Sequence, residues 1–89
     1  MIRSTLTISN RLGLHARASA KLTKLAGSFK SQVHLARNGR RVNAKSIMGV
    51  MMLAAGQGSE LELEVEGPDE AEAARSLKAL VDDKFGEGS

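Results

Sequence analysis

Glu60-Leu61-Glu62-Leu63-Glu64-Val65-Glu66 alternates acid and aliphatic residue without a break, and Gly67-Pro68-Asp69-Glu70 follows it directly. Alternation sends every second side chain to the same side of an extended chain. Residues 60–66 therefore predict a strand with Leu61, Leu63 and Val65 on a buried face and the glutamates in water. The four residues after it read as a helix start, with proline early and carboxylates in the first turn. Beyond them Ala71, Ala74, Leu77, Val81 and Phe85 share one helical face, and Gly86 marks the stop. A one-faced strand followed by a one-faced helix implies a sheet with helices on one side and solvent on the other.

The rest of the chain extends this pattern. Gly56-Gln57-Gly58-Ser59 is a turn, and before it the apolar run Ile47-Met48-Gly49-Val50-Met51-Met52-Leu53 lacks strand alternation. Ser46 precedes that run as a favoured N-cap, so a short helix is expected there. Val33 with Leu35 and Val42 with Ala44 alternate on either side of Asn38-Gly39, the dipeptide of tight hairpins. Ala18, Leu22, Leu25 and Phe29 recur at helical spacing, Gly27 lies where that helix should stop, and Arg17, Lys21 and Lys24 form a basic stripe. Ile2, Leu6 and Ile8 alternate with Arg3, Thr5 and Thr7 in a first strand. The order is β-α-β-β-α-β-α, an α+β class chain whose helices are expected to cover one side of an antiparallel sheet while water covers the other.

Eighty-nine residues suffice for one core, so residues 1–89 form a single domain, with 86–89 expected as a flexible tail. The chain has no cysteine, which removes disulfides and thiolate metal sites. Its start lacks the apolar stretch of a signal peptide, and no run approaches the roughly 20 apolar residues of a membrane helix. These features predict a cytoplasmic protein with no membrane insertion, and a monomer is the expected state. The formal charge of +3 is unevenly spread: residues 1–59 hold ten Lys/Arg and no acid, while residues 60–89 hold ten acids and three bases. The basic part suits an anionic partner or substrate.

His15 stands at the start of the first helix in Gly13-Leu14-His15-Ala16-Arg17. The backbone N–H groups of Ala16, Arg17 and Ala18 have no acceptor within the first turn, and the helix dipole adds positive potential, so an anion is welcome there. Arg17 adds a permanent charge able to make paired hydrogen bonds to phosphate oxygens. Imidazole can both accept a phosphoryl group as nucleophile and surrender it, because the P–N bond leaves readily from a protonated ring. His15 is thus the candidate reactive residue, whereas His34, on the polar side of a strand, reads as an ordinary solvated side chain. No histidine pair or carboxylate cluster suggests a metal, and the chemistry calls for no cofactor.

With these residues in view, the chain resembles the HPr family, the histidine-containing phosphocarriers of the bacterial phosphoenolpyruvate-dependent sugar phosphotransferase system. The resemblance is carried by Gly13-Leu14-His15-Ala16-Arg17, similar to the family's phosphohistidine motif, and by Lys45-Ser46-Ile47-Met48-Gly49-Val50-Met51, similar to its regulatory serine motif. It implies an open-faced sandwich, a four-stranded antiparallel sheet covered on one face by three helices, with phosphorylation of His15 on Nδ1 by enzyme I, Arg17 stabilising the phosphate, and transfer onward to enzyme IIA domains for sugar uptake. It also implies regulatory phosphorylation of Ser46 by an HPr kinase/phosphorylase, and docking of partners on Lys21, Lys24, Ile47, Met48 and Met51. The chain would then be a carrier in a phosphotransferase relay and not a stand-alone catalyst. Where the family motif usually has proline this chain has Ala18, an exchange that gains an N–H and loses rigidity.

Two other readings are open on the sequence. A nitrogen-branch paralogue of HPr with a regulatory role shares the histidine motif, although the segment around Ser46 looks more like the sugar branch. A small RNA-binding module has the same β-α-β-β-α-β order and a basic surface, but such modules stack bases on aromatic residues in their strands. Phe29 and Phe85 are the only aromatics, and both fall outside the strands read here, which disfavours nucleic acid as a partner.

Overall fold

The structure, a computed structural model, describes all residues from Met1 to Ser89. Strands β1 (Ile2–Thr7), β2 (Gln32–Arg37), β3 (Arg40–Asn43) and β4 (Glu60–Glu66) form one antiparallel sheet in the order β1-β4-β2-β3. Helices α1 (Ala16–Gly27), α2 (Ile47–Met51) and α3 (Glu70–Asp82) accompany it, and a short 3-10 turn spans Lys84–Gly86. The acid-aliphatic strand β4 is central, paired with β1 through Leu6↔Leu61 and Ser4↔Leu63 and with β2 through Val33↔Val65 and Leu35↔Leu63. Its aliphatic side chains are buried, while Glu60, Glu62 and Glu66 are exposed on the other face and Glu64, half-buried there, pairs with Arg41 at 3.1 Å. The sheet thus has the one-sided character expected, and none of the helices is long and apolar enough to cross a membrane.

The core joins Leu6, Ile8, Leu35, Leu61, Leu63 and Val65 of the sheet side to Leu22, Val50, Leu77, Val81 and Phe85 of the helical layer. The hairpin between β2 and β3 turns on Asn38 and Gly39, both left-handed at φ 51° and 82°, the conformation that a two-residue turn between twisted strands requires.

Three local expectations are corrected. Ala71 is exposed; the buried stripe of α3 is Ala73, Leu77 and Val81, with Ala74 and Leu80 partly covered. Ala71 lies two residues ahead of Ala73, which on a helix is nearly the opposite side. The helix also ends at Asp82 and not at Gly86, because Lys84 and Phe85 both turn left-handed, at φ 55° and 56°. Phe29 packs against the core from the loop after α1 and not from the helix itself.

Asp69 has a role that local pattern does not announce. Although it precedes α3, its carboxylate does not cap that helix but crosses to the α1–β2 connection. There it accepts hydrogen bonds from the backbone N–H groups of Lys30 and Ser31, each at 2.9 Å, and from the Ser31 hydroxyl. These bonds, the Ser31 hydroxyl first, lower the carboxyl from its ordinary 3.8 to about 2. A depressed value in the folded state means that the contribution to stability is fully present above pH 3.8 and fades as pH falls toward 2. Acid unfolding of an Asp69→Asn variant should therefore lose part of its pH dependence between about pH 4 and pH 2. A wild-type slope in that window, followed by circular dichroism, would contradict this account.

Candidate functional site

His15 occupies the N-cap position of α1 in extended backbone, φ −71° and ψ 178°, and its side chain makes no capping bond. The N–H groups of Ala16, Arg17 and Ala18 find no acceptor in a loop or side chain, and helix geometry offers them none in the first turn. The ring is half-buried, with 27% of the side chain exposed. It opens into a cleft of about 440 Å³ lined by Arg11, Leu12, His15, Arg17, Lys21, Gly86, Glu87 and Ser89. Ring and three cationic side chains therefore share one solvent-accessible space at the start of α1.

The loop before α1 is held by several independent contacts. Gly13 is left-handed at φ 67° and packs so closely that a Cβ there would lie 2.5 Å from the Ala55 carbonyl oxygen and 2.7 Å from Gly56 Cα. Leu14 is buried, and its N–H donates to the Ala55 carbonyl at 2.8 Å. The buried Ser19 hydroxyl donates to the Leu14 carbonyl at 3.0 Å, and the N–H of Ser19 donates to the His15 carbonyl at 2.8 Å. Asn10, fully buried, donates through Nδ2 to the Gly13 carbonyl at 2.8 Å. His15 is therefore presented by a loop clamped on both sides.

Of the residues singled out from the sequence, His15, Arg17 and Lys21 are brought together, whereas Lys24 and Ala16 lie outside the cleft lining and Ala18 is fully buried. Lys21 donates through Nζ to the Phe85 carbonyl at 2.7 Å, so this expected docking residue also ties the end of the chain to α1. Ser46 caps α2, accepting from the N–H of Gly49 at 3.1 Å. Ile47, Met48, Met51 and Met52 are all exposed, and within α2 only Val50 is buried. Five residues supply little more than one helical turn, too short to turn four bulky side chains inward.

Several residues of the site were not read from the sequence, among them Asn10, Arg11 and Glu87. The Glu87 carboxylate meets His15 Nε2 with Oε2 and accepts from Asn10 Nδ2 at 2.9 Å with Oε1. The N–H of Arg11 donates to the Ser89 carbonyl at 3.0 Å, so residues 86–89, expected as a flexible tail, lie against the site. No periodic pattern marks these residues, since contacts 72 and 77 positions apart exist only once the chain has folded.

This fold and site define a class: small open-faced α+β proteins that display one accessible imidazole at a helix N-terminus. The family model for the PTS HPr component phosphorylation site matches residues 2–83. The chain is 66% identical over 88 residues to the phosphocarrier protein HPr of Cupriavidus necator, covering 99% of both, and 56% identical over 88 residues to that of Neisseria meningitidis, again covering 99% of both. It is also similar to the crystal structure of HPr from Thermoanaerobacter tengcongensis, with a TM-score of 0.95, 45% identity and 98% of each chain covered. The chain belongs to the HPr family.

Proposed function

We propose that this chain is a cytoplasmic phosphocarrier that accepts a phosphoryl group on His15 from phosphorylated enzyme I and passes it to enzyme IIA domains during sugar uptake. The observation that carries the reading is an accessible imidazole and the Arg17 side chain in one cleft, at the N-terminus of a helix whose first-turn amides have no acceptor. The Nδ1 lone pair attacks phosphorus as the donor's bond to phosphorus breaks. The three phosphoryl oxygens then face the α1 amides and Arg17, which hold their charge without having to reorganise. Because the ring becomes cationic on substitution, the new bond stays labile and the group can move on. Family membership supports the same role. The open sheet face carries Glu60, Glu62, Glu64 and Glu66, which repel phosphodiesters and speak against an RNA module. The direct test is incubation with enzyme I and phosphoenolpyruvate, then mass analysis: an acid-labile, alkali-stable adduct supports the reading, and absence of any adduct defeats it.

The exposed Ile47, Met48 and Met51, with Lys21 and Lys24 on neighbouring α1, form the proposed docking surface of a monomeric carrier. Flexible apolar side chains beside a positive stripe suit several partners. A phosphate on Ser46 from an HPr kinase/phosphorylase would put about two negative charges at the edge of that surface. Ser46→Asp should therefore weaken docking to enzyme I by about tenfold, seen as a raised KM with kcat little changed. Unaltered kinetics would remove Ser46 as a switch.

A further inference from the structure

Glu87 lies beyond residues 2–83, the part that the family model matches, yet its carboxylate is the one group bonded to the His15 ring. The route to the site is well supported. After α3 the chain reverses through left-handed Lys84 and Phe85, Phe85 is buried, and Lys21 grips the Phe85 carbonyl. Asn10 then holds Glu87 Oε1, so the carboxylate is pinned to the same loop that presents His15. Only 16% of the Glu87 side chain is exposed. The hydrogen bond from Asn10, then the bond to His15 and the nearby charges of His15 and Lys21, lower this carboxyl below its ordinary value, which leaves it ionised at neutral pH.

We propose that Glu87 is a positioning residue for phosphoryl transfer, accepting a hydrogen bond from Nε2–H and balancing the positive charge the ring acquires when Nδ1 is phosphorylated. The inference rests on the phosphocarrier reading of His15. An ionised carboxylate can only accept, so Nε2 must hold the proton, and in the neutral ring the lone pair then belongs to Nδ1. As that pair forms the N–P bond and the donor's bond to phosphorus breaks, Nε2 keeps its proton and the ring becomes a cation facing the carboxylate. On onward transfer the N–P electrons return to Nδ1, and no proton needs to move. The other charged side chains lining the cleft are Arg11 from the loop and Arg17 and Lys21 from α1, all cationic, so Glu87 is the one side chain there that can stabilise an imidazolium.

Glu87→Gln keeps the shape and an oxygen for Asn10, and so separates charge from packing; Glu87→Ala removes both. In the unphosphorylated protein the Nε2–H resonance should be protected from exchange in the wild type and lost or weakened in both variants, while the backbone spectrum stays native. Uptake from phosphorylated enzyme I should fall about fivefold in kcat with KM unchanged. Hydrolysis of the isolated phosphorylated variants should accelerate only at lower pH than in the wild type, because the ring then protonates without its counter-ion. Wild-type kcat and an unshifted hydrolysis profile in Glu87→Gln would overturn the proposal while leaving the carrier reading intact. Failure of the wild type itself to take up phosphate on His15 would overturn both.

Discussion

His15→Ala should abolish phosphoryl uptake from phosphoenolpyruvate and enzyme I while leaving the fold unchanged. The complete loss follows from chemistry, since alanine offers no lone pair and the cleft holds no second imidazole. The conserved fold follows from the structure. The His15 side chain caps nothing and its one bond is to Glu87, so truncation opens no core cavity and leaves the clamps at Gly13, Leu14 and Ser19 in place. A labelled-phosphate assay beside a thermal melt checks both halves. Retained uptake would assign the phosphoryl group to another residue, and a melting temperature more than a few degrees lower would show that His15 carries structural weight not accounted for.

Gly13→Ala should give the largest loss of stability among the site substitutions, although only one methyl group is added. The new Cβ would lie 2.5 Å from the Ala55 carbonyl oxygen and 2.7 Å from Gly56 Cα, both backbone atoms that cannot rotate away. The left-handed backbone, φ 67°, adds a penalty of about 1 kcal/mol for a residue with a Cβ. With overpacking of about 1–3 kcal/mol the total is about 2–4 kcal/mol, which lowers the melting temperature of a domain this size by about 10–25 °C. Relief of the clash must also stretch the bond from the Leu14 N–H to Ala55, so transfer should slow in the folded fraction. A melting temperature within two or three degrees of the wild type would mean that this loop yields more easily than its packing implies.

The elements of this chain were legible because each carries its signal in neighbouring residues. The alternation of Glu60–Glu66 placed β4 to the residue, Asn38-Gly39 placed the hairpin, and Ser46 placed the start of α2. The imidazole of His15 before a helical pattern likewise marked the N-cap position of α1. Errors arose where distant packing chose between locally similar options, as when α3 turned Ala73 and not Ala71 inward, or ended before Phe85 so that this ring could enter the core from a left-handed turn.

Alternating and helical periods, caps and turn residues determined by themselves that this protein has four one-faced strands, three helices and a histidine at a helix start. They act through bonds and side-chain directions within a few positions, so no partner in space is needed to read them. Only the tertiary structure decided the strand order β1-β4-β2-β3, the crossing of Asp69 to the α1–β2 loop, and the closure of Asn10 and Glu87 around His15. Those contacts join residues far apart along the chain, and their geometry is set by how the helical layer packs on the sheet, which no local pattern encodes.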